Sequence, residues 1–290
     1  MSTDTAYDEL GDFLRTRRGR LRPEDVGLPD YGRRRRVPGL RREEVAQLAG
    51  VSVDYYIRLE QGRGQNASDA VLDAVARVLR LDATEQDHLR TLARPARSIP
   101  AGTSPETPQS VRPAVQHMLD LLDAPAFVLG RCMDVLAWNA PGDALYGFAT
   151  RSPELRNQAR HAFLARGDGL YADWEDVAAE TVAYLRLDAA RHPGDRRIAA
   201  FIRELSDGSP AFRKLWAAHE VREKTFGTKR IRHDAVGELN LSYETLALPG
   251  DVDQLVVAFQ AVPGSVDADK LASLPSGVSS SAWAAVAVTG

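Results

Sequence analysis

At 290 residues the chain exceeds what one hydrophobic core usually organises, and its 44% hydrophobic and 27% charged residues are those of a folding globular protein. No apolar run approaches the roughly 20 residues needed to span a bilayer, and the acidic, polar start is unlike a secretion signal, so a cytoplasmic protein without a membrane anchor is expected. The net charge of −3 conceals a basic stretch: Arg15 to Arg63 holds 13 Arg against 7 Asp and Glu, whereas the remainder carries 24 basic and 33 acidic residues.

In chain order, residues 4 to 20 set Leu10, Phe13 and Leu14 at the spacing of one helical face. Pro23, Gly27, Pro29, Gly32 and Pro38 then predict an irregular connection from Leu21 to Gly39 that carries the Arg33 to Arg36 run. Helical patterning returns at Arg41 to Ala49, stops at Gly50 and restarts after Ser52, whose hydroxyl suits a helix cap. Two more helices are predicted over Asp69 to Leu79 and Thr84 to Leu92, the second opening on a capping residue, Thr84, with an acidic first turn. Residues 1–94 therefore read as an all-α, five-helix domain, and Pro95 to Pro113, with five Pro and few large apolar residues, as an extended linker.

Residues 114–275 read as a second, α+β domain. A helix over Ala114 to Leu122 leads into two short strands, 126–130 and 134–138. A helical middle follows, and strands return at 228–233, 238–248 and 254–262, which predicts an antiparallel sheet. Ser276 to Gly290 is Ser-, Ala- and Val-rich and reads as a flexible tail.

The pair of helices from Leu40 to Gly64 meets the demands of DNA reading. Val45, Ala46, Val51, Tyr56 and Leu59 would face inward, leaving Ser52, Val53, Asp54, Tyr55 and Arg58 on the outer face, where the start of the second helix enters a major groove. Arg58 matches guanine N7 and O6, Asp54 the cytosine amino group, and Val53 a thymine methyl. Arg42, Ser52 and Arg63 suit phosphates, which set register without reading sequence, and Arg41 is a further DNA-binding candidate. Arg33, Arg34, Arg35 and Arg36 are either further backbone or minor-groove contacts or a solvated loop.

This segment, with REEVAQLAGVS followed by YIRLEQGR, resembles the Cro/C1-type (XRE) helix-turn-helix. The resemblance implies that Glu60 pairs with an arginine of the first helix, Arg17 or Arg18, and buttresses the fold. From about Leu10 to Gly264 the chain is similar to the MmyB-like transcription regulators, through segments such as DVLAWNAPGDALYG, LSDGSPAFRKLWAAHEVREK and KRIRHDAVGELNLSYETLAL. One turn departs from the family, reading His233-Asp234 where members often carry His-Pro. The resemblance implies a PAS-like second domain that encloses an apolar, fatty acid-like ligand.

Phe127, Leu129, Leu136, Trp138, Leu145, Trp174, Trp216, Leu241, Tyr243 and Phe259 suffice to line such a pocket and equally to fill a core. His219 and Arg222 are candidates to anchor a carboxylate at its mouth, or members of a surface helix. One short recognition helix reads few bases, so a homodimer on a palindromic stretch of double-stranded DNA is expected. The alternative is a second domain serving only dimerisation or a protein partner. Cys132 alone makes no disulfide, its apolar neighbours predict an unreactive thiol, and no CxxC, HExxH, GxSxG or phosphate-loop motif occurs. No metal, cofactor or enzymatic activity is expected.

Overall fold

The computed structural model describes residues 4–28, 39–63, 67–93, 109–165, 169–251, 253–275 and 277–281, with side chains from Glu9 onward. Among them no helix is long and apolar enough to cross a membrane. The chain divides into two units. The first comprises Met1–Pro105, Arg186–Ala200 and Lys214–Glu223; the second comprises Glu106–Leu185, Phe201–Arg213 and Lys224–Gly290. This differs from a division within the Pro-rich stretch alone, because Leu187, Ala190 and Val221 are buried in the same core as Leu10, Phe13, Leu89 and Leu92.

The N-terminal part of the first unit holds α1 (Asp4–Arg20), α2 (Arg42–Ala49), α3 (Val53–Glu60), α4 (Asp69–Val78) and α5 (Ala83–Ala93). Gly50 ends α2 at φ 68°, a left-handed conformation that a side chain would strain. Two residues later the Ser52 hydroxyl accepts from the Tyr55 amide at 3.2 Å and starts α3. The start of α5 departs from expectation: Asp82, not Thr84, is the cap. Its carboxylate accepts from the Glu85 amide at 2.8 Å while Glu85 accepts from the Asp82 amide at 3.0 Å, so two otherwise orphan donors are satisfied reciprocally.

The remaining elements are α6 (Pro113–Asp120), β1 (Ala126–Leu129), β2 (Val135–Trp138), α7 (Ala140–Tyr146), α8 (Gln158–Phe163), α9 (Trp174–Arg191), α10 (Arg196–Gly208), α11 (Pro210–Ala217), β3 (Phe226–His233), β4 (Gly237–Ala247), β5 (Leu255–Gln260) and α12 (Val266–Ala272). The five strands form one sheet in the order β2-β1-β5-β4-β3, every pairing antiparallel. Alternation sends Ala126, Val128 and Val256 to one face, where they meet Val115 and Leu119 of α6. Phe127, Val257, Phe259, Tyr243 and Leu241 lie on the other, inner face.

The turn at His233-Asp234 closes without proline. His233 pairs with Gly237, and its ring bridges to the Ala144 carbonyl at 3.0 Å. Cys132, in the turn between β1 and β2, is buried. Part of the expected tail is docked on the second unit: Trp138 Nε1 donates to the Val278 carbonyl at 2.9 Å, and the Val278 amide donates to Asp143 at 2.8 Å. These bonds correct the expectation of a free tail as far as Ser281; residues 282–290 lie outside the described residues.

Candidate functional site

α3 presents an outer face on a braced base. Ser52, Val53, Asp54 and Arg58 are exposed and Tyr55 is half-buried beneath Arg58, whose guanidinium lies 6.0 Å from the Tyr55 ring centre. The opposite side of α3 is fixed by Tyr56, Leu59 and Glu60, all fully buried.

Glu60 decides where two arginines go. Arg18 grips it with Nε at 2.9 Å and a terminal nitrogen at 2.8 Å, which settles the choice between Arg17 and Arg18. Arg42, expected at a phosphate, also binds Glu60, at 2.9 Å, and so ties α2 to α3. Burial pushes the Glu60 carboxyl up, but the hydrogen bonds from Arg18 and Arg42 outweigh it and hold the group below the usual glutamate range. Arg41 and Arg63 are exposed at the two ends of the helix pair. Arg33, Arg34, Arg35 and Arg36 lie outside the described residues.

In the second unit the inner sheet face carries a continuous set of aromatic rings. Phe127 meets Tyr146 and Phe148 edge-on at 5.6 and 5.3 Å, Phe259 lies 5.6 Å from Tyr146, and Tyr243 lies 5.8 Å from Phe259. Trp138, Leu129, Leu145 and Leu241 are buried in the same unit. Tyr146 and Phe148 were missed in the sequence, where they fall outside any strand; their position within and just after α7, after the Asn139 cap, was the available signal.

Residues 9–89 match a family described as helix-turn-helix domain, and residues 111–274, more than half of the chain, match the MmyB-like transcription regulator ligand binding domain. The chain belongs to the MmyB-like transcription regulators. No curated protein matches it. It is a DNA-binding transcription regulator with a ligand-binding domain, and both matched families are of regulator type.

Several residues expected at the ligand site of this MmyB-like regulator are not brought together with the inner-face rings. Leu136 packs with the α6 cluster, and Trp174 is 37% exposed with its indole nitrogen bound to the Ala162 carbonyl. Trp216, His219 and Arg222 belong to the first unit. There the His219 carbonyl accepts from Arg17 at 2.9 Å, and its Nδ1 lies 3.1 Å from the buried Arg186, whose guanidinium covers the Trp216 ring at 4.1 Å. Arg17 also pairs with Glu85 at 2.8 Å. Helical spacing marks these side chains as facing inward but says nothing about which core receives them.

His88 lies in this same polar region, buried and edge-on to Phe13 at 5.1 Å. Burial first, then the cations Arg186, Arg17, His219 and Arg191, push its pKa from 6.5 to about 3. The folded first unit thus holds a neutral imidazole that the unfolded chain protonates below pH 6.5. The stabilisation is complete above 6.5 and is lost as pH falls toward 3, by roughly 2 kcal/mol between pH 6.5 and 5, a window in which ordinary carboxylates stay ionised. Chemical denaturation at pH 7.5, 6.5 and 5 should show this loss, and His88→Leu should remove about that much of it. Parallel pH slopes for the two proteins would refute the assignment.

Proposed function

We propose that this regulator binds a palindromic operator as a homodimer, with the first turns of α3 in the major groove, and that its second unit takes up a small apolar, fatty acid-like ligand. The observation that carries the DNA half is the exposed row Ser52, Val53, Asp54 and Arg58 on a helix whose opposite side is clamped through the buried Glu60. A braced helix with exposed side chains along its outer face is what base-edge reading requires. In this reading Arg58 forks onto a guanine, Asp54 and Val53 contact neighbouring bases, and Arg41, Arg63 and the Arg33–Arg36 run meet phosphates. A second such helix from a partner subunit doubles the sequence read, and binding to DNA would place the protein at the nucleoid of the cytoplasm.

The ligand half is supported by the inner-face rings and by the family's ligand-binding domain. A ligand alters DNA binding only to the extent that it prefers one arrangement of the dimer over another.

Arg58→Ala should weaken operator binding by about 1–3 kcal/mol and relax preference at a single base pair, while leaving binding to unrelated DNA nearly unchanged. Selection from a random duplex library followed by titration of the selected site measures both. If affinity and preference survive, α3 does not read bases through Arg58. Native mass spectrometry of gently purified protein addresses the ligand: a bound lipid at one copy per subunit is expected. A ligand-free dimer that also binds no added fatty acid favours a second domain devoted to dimerisation or protein partners.

A further inference from the structure

The end of α11 is held by arginines from two other helices. A helix leaves its last carbonyls without partners, and cations are favoured donors there. Arg186 of α9 donates to the Trp216 carbonyl, Arg20 of α1 to the Ala218 carbonyl at 2.9 Å, and Arg17 of α1 to the His219 carbonyl at 2.9 Å. Glu220, next in the chain, lies 2.5 Å from Arg20 and 3.6 Å from Arg17. His219 itself sits at φ 52°, left-handed backbone that a residue with a side chain adopts when its surroundings hold it there.

The His219 ring belongs to the same clamp. A guanidinium only donates, so the Nδ1 atom 3.1 Å from Arg186 is the acceptor and the ring is neutral. Burial first, then Arg186, lowers its pKa to about 4, which keeps it neutral near pH 7. Arg186 is 1% exposed, and Glu9 of α1 lies 3.7 Å from it.

Arg17 and Arg18 are consecutive in α1 and leave the helix about 100° apart. Arg18 grips Glu60 beneath α3, whereas Arg17 reaches the α11 turn and Glu85 of α5. Apolar packing follows the same line, since Leu187, Ala190 and Val221 share a core with Leu10, Phe13 and Leu14 of α1. A shift at the end of α9 or in the α11 turn therefore displaces α1, and α1 carries the arginine that holds the base of α3.

We propose that Arg186 and the turn from Trp216 to Glu220, which lie in the stretch matched to the ligand-binding family, are positioning residues of operator binding. Through Arg17 and Arg20 they set α1, and through Arg18 and Glu60 α1 sets α3. This rests on the reading that α3 contacts bases, and it adds a route by which residues outside the helix-turn-helix control that contact without touching DNA.

The test uses the operator that the full chain selects from a random duplex library. It is titrated with the parent, Arg186→Met, Arg58→Ala and the double variant, at a temperature where urea denaturation shows the proteins folded. Arg186→Met removes the donors to Trp216 and His219 and should weaken operator binding about tenfold. Binding to an unrelated duplex should change less than about twofold, because phosphate contacts carry binding that lacks sequence preference. In the Arg58→Ala background the same substitution should cost no more than about threefold, since the base contact it misplaces is already gone. A role in stability alone would lower the denaturation midpoint and leave both affinities of the folded protein unchanged.

Arg20→Met alters a side chain that is 38% exposed, so it serves where Arg186→Met does not fold. Its expected loss of operator affinity is about threefold, restored by Arg20→Lys, whose ammonium still donates to the Ala218 carbonyl and Glu220. Parent-like operator affinity in folded Arg186→Met, or in Arg20→Met where the first does not fold, would overturn the positioning role alone, as would additive costs with Arg58→Ala. A parent that selects no duplex sequence would overturn the reading of α3 and this role with it.

Discussion

Glu60→Ala should cost the first unit about 3–5 kcal/mol, enough to remove DNA binding at physiological temperature. The glutamate is fully buried and accepts from two guanidinium groups, Arg18 through two nitrogens at 2.9 and 2.8 Å and Arg42 at 2.9 Å. Arg18 also donates to the Leu40 carbonyl at 2.6 Å, so α1, the segment before α2, and α3 converge on one charge pair. Removing the carboxylate leaves Arg18 buried with a carbonyl as its main remaining partner. An unanswered buried charge is far more costly than the net worth of the pair itself. For the same reason the double replacement Arg18→Met with Glu60→Met should recover much of what Glu60→Ala loses. Urea denaturation of the three proteins decides the matter; a loss below about 1 kcal/mol for Glu60→Ala would show that the pair does not organise the helices.

Asn139→Ala should have an effect of similar size in the second unit, about 4 kcal/mol or more. The side chain is 1% exposed and bridges five backbone groups. Its amide nitrogen lies 3.1, 3.0 and 2.8 Å from the carbonyls of Leu119, Leu122 and Ala124, which share its two N–H donors. Its oxygen accepts from the amides of Ala126 and Gly142 at 2.9 and 2.8 Å. A single amide thus joins the end of α6, the start of β1 and the first turn of α7. Truncation strands five backbone groups, each worth about 1–3 kcal/mol when left buried and unpaired, although relaxation and water entry make the sum smaller than the parts. Asn139→Asp keeps the acceptor but sets a carboxylate against three carbonyl oxygens, so it should also destabilise strongly. Denaturation followed by tryptophan fluorescence reports on the site, since Trp138 is adjacent in the chain. A change within about 1 kcal/mol of the parent for both variants would mean the network contributes little.

The two residues differ in how they could be found. Glu60 was legible because its place in the helix-turn-helix segment carries the family's pattern, and the same local pattern, with Gly50 and Ser52 at the turn, predicted α2 and α3 nearly to their ends. Asn139 sits in the quoted segment DVLAWNAPGDALYG, yet nothing local reveals that three of its partners lie 15 to 20 positions earlier. Arg42 shows the same limit within the better-read domain: its place at the start of the helix pair suggested a phosphate, and nothing local reveals that Glu60, 18 positions on, binds it.

By itself the sequence determined the helical domain and the existence and type of the strands, because turn chemistry and the periods of helix and strand are local properties of consecutive residues. Only the tertiary structure decided the strand order β2-β1-β5-β4-β3, the meeting of Lys229 with Glu180 across 49 positions, and the assignment of Trp216 and His219 to the first unit. A period states that a face is buried but not what buries it; that partner is selected by packing and charge compensation among segments far apart in the chain, after the local elements have formed.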